Sequence, residues 1–240
     1  VPAPDTPRDT ILGTIRRAVA TVRDETAARA AVEQRLAAPP RNLIPARGQV
    51  PPPQQVELFQ RMATLVAATV EPVAEPGRVP HAVADYLSAH NLPARVRVAP
   101  DAALQAIPWD RRPTLEVGFG PARADDPVCV TAALAGVAET GSLLLASGAD
   151  HAAPLAFLPH THLVVLSAAD IVGVYEEAWD RLRRRQADRG LGMPRAVTLV
   201  TGPSRTADIE QTSLLHAHGP GRLHIILVGP PAHGAEPLHG

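Results

Sequence analysis

Ser204, Arg205 and Thr206 are the residues whose types and spacing most directly suggest chemistry. Two hydroxyls flank a guanidinium, a planar fork of donors suited to a carboxylate or a phosphate. Gly202-Pro203 sets a turn just before them, and Asp208 and Glu210 follow closely. The apolar run Ala196–Val200 predicts a strand, and Ile209, Leu214 and Leu215 fit a helical pattern after the turn. Such a strand, turn and helix start would leave N–H groups unpartnered at the positive end of a helix, which favours an anion. The same residues also fit an ordinary helix start. Ser204 or Thr206 would then be the cap, Asp208 would sit in the first turn, and Arg205 would pair with an acid.

Glu139-Thr140-Gly141-Ser142 is the second such stretch. It joins a short Ala-rich helix expected over Ala132–Ala138 to an apolar strand over Ser142–Ala146. Glu139 could act as a base or nucleophile at the edge of the core; it also fits an exposed acid in a helix C-terminal turn. His160 and His162 precede the apolar run Leu163–Ser167. If that strand extends backward, the two rings share one face. His216 and His218 form another close pair, and the two pairs with Glu139 or Asp208 could ligate a metal. No HExxH or fixed third ligand accompanies them, so loop histidines bonded to backbone are expected and no metal is assigned. Cys129 lies in an apolar run and reads as a packing residue.

The elements that must position these groups follow from periodicity. Pro7–Ala38 reads as one long helix, with Ile11, Leu12, Ile15, Val19 and Val22 as its stripe. Pro39–Pro53 is a proline-rich connector. The chain therefore divides into an N-terminal helix and connector at 1–53, an α/β domain at 54–229, and a flexible tail at 230–240. Helices are expected over Gln54–Val70, Val79–His90 and Ala168–Arg189. In the last, Glu177–Arg181 and Asp180–Arg184 are i,i+4 pairs and the arginine run reads as a solvated face. Strands are expected at Arg95–Ala99, Leu115–Gly120, Val128–Thr131 and Leu223–Val228. Alternating strands and helices argue for an α/β sandwich with a mainly parallel sheet. Ligands in such sheets sit beyond the carboxyl ends of the strands, and the loop at Gly202–Thr206 is expected at such an end.

Composition narrows the function. The 240 residues include one cysteine, and all 23 basic residues are arginine. Chemistry that needs lysine is excluded, as are a disulfide framework and an iron–sulfur cluster held by this chain alone. A formal net charge of -1 gives no electrostatic case for nucleic acid or an anionic membrane. No run reaches membrane-spanning length and no charged-then-apolar leader opens the chain, so a cytoplasmic location is expected.

Taken together, Glu139–Ser142, Leu158-Pro159-His160-Thr161-His162, Gly202–Glu210 and His218-Gly219-Pro220 resemble the LUD domain family, which includes lactate utilization protein C. The likeness covers roughly Gln54–Val228. The family would place Gly at the position of His216 and often Thr at that of Ser142. The resemblance implies a fold like the sugar-phosphate isomerase and CoA-transferase superfamily (NagB/RpiA/CoA transferase-like), a three-layer sandwich. It also implies a part in oxidising L-lactate to pyruvate beside two iron–sulfur proteins, with the clusters on those partners and no cofactor evident in this chain. The ligand expected is a small carboxylate or a phosphorylated molecule, and self-association is left open. Gly202, Ser204, Arg205 and Thr206, with Thr140, Gly141, His160 and His218, are the expected anion-binding set. Glu139 and Asp208 are the expected acid–base or orienting groups. A stand-alone enzyme acting on a phosphorylated or CoA-linked metabolite is the alternative.

Overall fold

The computed structural model describes residues 6–20, 25–41, 43–123, 125–148, 153–207, 213–215 and 218–229. Contacts divide the chain into two units, Val1–Leu43 and Ile44–Gly240. In the first, the stretch expected as one helix is described as α1 (Pro7–Ala20) and α2 (Glu25–Ala37). The segment 44–53, grouped with the arm by its prolines, falls in the second unit. The expected tail at 230–240 lies outside the described residues, as do Asp208 and His216.

The second unit opens with α3 (Pro52–Leu65). The helix expected to run to Val70 stops earlier. Ala67 takes a left-handed turn at φ 64°, and Thr69–Val73 becomes strand β1. Then follow α4 (Val79–Ala89), β2 (Arg95–Val98), α5 (Ala102–Gln105), β3 (Glu116–Phe119) and β4 (Val128–Ala132). The Ala-rich stretch read as a helix is instead strand β5 (Ala135–Val137), followed by β6 (Ser142–Ala146) and β7 (Thr161–Ser167). Ala135 and Val137 are fully buried between layers, and that burial outweighs the helix propensity of alanine. The helix expected from Ala168 begins later. A short 3-10 turn and β8 (Ile171–Val172) come first, then α6 (Tyr175–Asp188). β9 (Val197–Val200), β10 (Arg205–Ala207), β11 (Ser213–Leu215) and β12 (Arg222–Val228) complete the described elements.

Six strands form a parallel sheet in the order β1-β12-β7-β4-β2-β3. A second sheet, β8-β5-β6-β9, is mostly antiparallel. The side-chain period of a strand sorts the core into layers. Ile226 of β12 packs with α4 on one face, while Leu223, Ile225 and Leu227 pack with α3 and the second sheet on the other. Leu144 of β6 turns away from that layer to meet Ala178 and Leu182 of α6. The result is a mainly parallel sheet sandwiched between layers, as the sequence implies, with the four-stranded sheet lying between the parallel sheet and α6. Among the described residues, no helix is long and apolar enough to cross a membrane.

Candidate functional site

Gly202–Thr206 does not begin a helix. Arg205–Ala207 is a strand paired antiparallel with Ser213–Leu215, so there is no helix start at Ser204–Ala207 to cradle an anion. Nor is the loop at a carboxyl end of the parallel sheet. β9, which feeds it, belongs to the four-stranded sheet and runs antiparallel to β6. The loop instead approaches the amino end of β12. Ser204 N–H donates to the Pro220 carbonyl at 2.8 Å, and Ser204 Oγ accepts from His218 N–H at 3.2 Å. Arg222 N–H in turn donates to the His160 carbonyl at 3.1 Å. Ser204 thus ties the stretch 202–206 to 218–220, and Arg222, two residues beyond the latter, ties it to His160 of the stretch 158–162.

Thr140 and Ser142 reach the start of the 202–206 loop, at Thr201, through hydroxyls. Ser142 Oγ lies 2.6 Å from Thr201 Oγ1, 2.8 Å from Tyr175 Oη and 2.8 Å from Thr140 Oγ1. Thr140 Oγ1 also donates to Tyr175 Oη at 3.0 Å. A serine hydroxyl has one proton and two lone pairs, so three neighbours use its capacity. Ser142 is fully buried, and the network ties β6, α6 and the end of β9 together. Sequence marked out neither hydroxyl: Tyr175 reads only as part of the apolar stripe of its helix, and a lone threonine after a strand has many ordinary roles.

Two glycines let α3 close on this layer. Gly141 has φ +67°, and a Cβ there would stand 2.2 Å from the Ala63 nitrogen. Gly202 has φ +73°, and a Cβ there would stand 2.1 Å from the Val66 carbonyl oxygen. No other residue satisfies both the left-handed turn and the close approach.

Glu139 is buried rather than exposed, and it does not end a helix. Its Oε1 accepts from Tyr175 N–H, the first residue of α6, at 3.1 Å, and its Oε2 lies 3.9 Å from Arg47 Nε. A carboxylate at the positive end of a helix is electrostatically favoured there. Glu177, expected to pair with Arg181, instead accepts from Gly173 N–H at 2.8 Å. Arg181 pairs with Asp170, and Asp180 with Arg183 at 3.1 Å.

The histidine pair at 160 and 162 does not share a face. His162 is fully buried, with Nε2 2.7 Å from Thr131 Oγ1, whereas His160 is exposed ahead of the strand. Arg205 and His218 are also exposed, and the Thr206 backbone lies in β10. Among the described residues, no group of three His, Cys, Asp or Glu side chains is arranged to hold a metal. Cys129 is buried in β4, and burial pushes its thiol up to about 12, far from a reactive thiolate.

A titratable cluster that periodicity hid lies on the α4 face. His224 Nδ1 is 2.8 Å from Thr69 Oγ1, its ring stacks on Tyr86 at 4.3 Å, and Nε2 is 3.4 Å from Glu71 Oε2. The carboxylate would favour an imidazolium, but burial outweighs it and holds both partners toward neutrality. His224 is lowered to about 4, by burial and then by His90. Glu71 is raised, by burial and then by Asp85.

Comparison with known proteins agrees with this architecture. Residues 124–228 match the family model described as LUD domain. The chain is 34% identical over 92 residues to lactate utilization protein C of Bacillus subtilis, a stretch covering 38% of either chain. The protein of the same name from a Geobacillus species is 32% identical over the same length, again 38% of each. The alignments therefore span well under half the length of these curated relatives. A crystal structure of a DUF162 family protein from Deinococcus radiodurans superposes with a TM-score of 0.55 at 20% identity, covering 75% of this chain and 99% of that one. That likeness is one of fold.

Proposed function

From the match of residues 124–228 to the LUD domain family, we propose that the protein serves in lactate utilization. In this reading it is a subunit of a system that oxidises L-lactate to pyruvate. That oxidation releases two electrons, which a protein chain without a redox centre cannot accept. The single cysteine, buried in β4, leaves these 240 residues no thiolate set for a cluster, which fits the family resemblance, by which the clusters would sit on two iron–sulfur partner proteins. The likeness to lactate utilization protein C supports the pathway.

The observation that carries the subunit role is the closed state of the motif layer. Ser142 uses its whole capacity on neighbouring hydroxyls, and Glu139 is engaged at the start of α6. These groups hold a shape, and the residues they leave outward are Arg205, His160 and His218. We assign to that outward set the contact with a small carboxylate or with the partner proteins. The test is deletion of the gene in the source organism and growth on L-lactate as sole carbon source. Growth should fail, and return with the intact chain but not with Arg205→Ala/His218→Ala. Undiminished growth in a strain with no second copy overturns the reading.

A further inference from the structure

The carboxyl ends of the parallel strands hold a feature the motif layer does not touch. Beyond β2 and β4 lies a groove of about 540 Å³. Ala132, Ala133 and Leu134 line its base where β4 ends, and Asp101, the N-cap of α5, stands on one side. On the other side α6 contributes Arg181, Arg184 and Arg185, and Arg189 follows as its C-cap. Positions 181 and 185 share one helix face, and Arg189 at the C-cap continues the same four-residue spacing. The arginine run that reads as a solvated surface in sequence is, in the fold, the wall of a concavity at the end of the sheet where α/β folds take ligands.

These arginines are unequally engaged. Arg181 is ion-paired with Asp170. Arg185 Nη2 stands 3.9 Å from Asp101 Oδ2, beyond hydrogen-bond reach. Arg184 and Arg189 are exposed and have no carboxylate within 4.0 Å among the described residues. Asp101 has its other oxygen committed, accepting from Ala103 N–H at 2.8 Å to cap α5. Four arginines face three aspartates along the lining, and the donors of three of those arginines are largely unspent.

Size and donor geometry select the ligand class. A groove of several hundred Å³ holds a whole metabolite, and a three-carbon acid would leave most of it filled with water. A carboxylate occupies one guanidinium fork, whereas a tetrahedral phosphate dianion has oxygens for two at once. We propose that this groove binds a phosphate-bearing small molecule, with the phosphate between Arg185 and Arg189 and displacing Asp101 from Arg185. The proposal rests on the groove alone and stands apart from the lactate reading.

Isothermal titration of the full chain at low salt tests it, with inorganic pyrophosphate as the first probe and ADP and glucose 6-phosphate as the second and third. Saturable binding is expected, weakened about tenfold or more in Arg185→Gln/Arg189→Gln, the loss of charge-assisted hydrogen bonds. Asp101→Asn keeps a capping oxygen but removes the competing charge, and should tighten binding about threefold. That gain separates a ligand contact from a structural role. Arg205→Ala should bind as the unsubstituted chain does. Tighter binding of ADP or of glucose 6-phosphate than of pyrophosphate names the nucleotide or the sugar as the larger body. Absence of saturable binding by all three, or binding left intact in the double variant, overturns the proposal. If the double variant does not fold, Arg189→Gln at its exposed position carries the same test, with a weakening of about threefold or more expected.

Discussion

The Ser142 hydroxyl stands 2.6 Å from the Thr201 hydroxyl across 59 residues of sequence. This contact fastens the interior strand β6 to the turn that follows edge strand β9, and through Gly202 to the end of α3. Ser142→Ala would leave Thr140, Tyr175 and Thr201 short of a partner in a half-buried setting. Denaturant unfolding should show a loss of about 1–3 kcal/mol, and adding Thr201→Val should give less than the sum of the two single effects.

Gly141→Ala and Gly202→Ala each place a Cβ near 2 Å from α3 backbone at a positive φ. Each should destabilise by at least about 2 kcal/mol. Gly190→Ala is the matched control: its φ is +63°, yet a Cβ there meets nothing within 4 Å. It should lose only the left-handed backbone penalty, about 1–2 kcal/mol. Equal losses at all three positions, read from thermal unfolding, would show that the close approach to α3 carries no energy.

Glu139 offers a charge to the start of α6 and an acceptor to Tyr175 N–H. Glu139→Gln keeps the acceptor and should lose about 1 kcal/mol; Glu139→Ala loses both and should fall by about 1–3 kcal/mol. If Glu139 also serves as an acid–base group, the glutamine variant would lose lactate-dependent growth while its unfolding midpoint stays close to that of the parent. Parallel loss of stability and growth across the two variants would confine it to an architectural role.

His224 sets a pH dependence. Its folded value of about 4 lies below the ordinary 6.5, so the unfolded chain binds this proton more readily. The neutral ring is fully accommodated above about pH 6.5, and stability falls as pH drops from there toward 4. The whole shift corresponds to about 3 kcal/mol. Urea unfolding at pH 7 and pH 4.5 should show a difference that shrinks in His224→Gln; an unchanged pH slope in that variant would assign the loss to other groups.

The apolar runs that became β4, β6, β7 and β12 were legible because buried strands are nearly unbroken in Val, Ile and Leu. α4 was legible from its stripe. β1 was not, because Thr-Val-Glu-Pro-Val contains a proline that argues against a strand. Pro72 is tolerated because β1 is the outermost strand of its sheet. The stretch at 132–138 looked helical from its alanines, since sequence does not show that two sheets close on them. Ser204–Thr206 looked like a helix start because the same hydroxyls that cap helices also fill turns. The four motifs are visible in the sequence, and the contacts between them are not, since these run through the Pro220 and His160 carbonyls and the Thr201 hydroxyl, which no pattern announces. Arg185 and Arg189 were visible, but only the placement of α6 over the ends of β2 and β4 turns them into the wall of a groove.

The position of β12 between β1 and β7 bears on how the chain reaches its folded state. β1 and α3 are made before β12, yet the hydrogen-bonding partner of β1 is that final described strand, with Val70 opposite Ile225. Until β12 leaves the ribosome, β1 has an open edge and α3 lacks Leu223, Ile225 and Leu227 to cover. Closure across so long a span is entropically slow, and the waiting edge is open to mispairing with other chains. Pairing of β1 with β12 therefore waits on synthesis of residues 222–228 and carries the loop-closure cost of the chain between them.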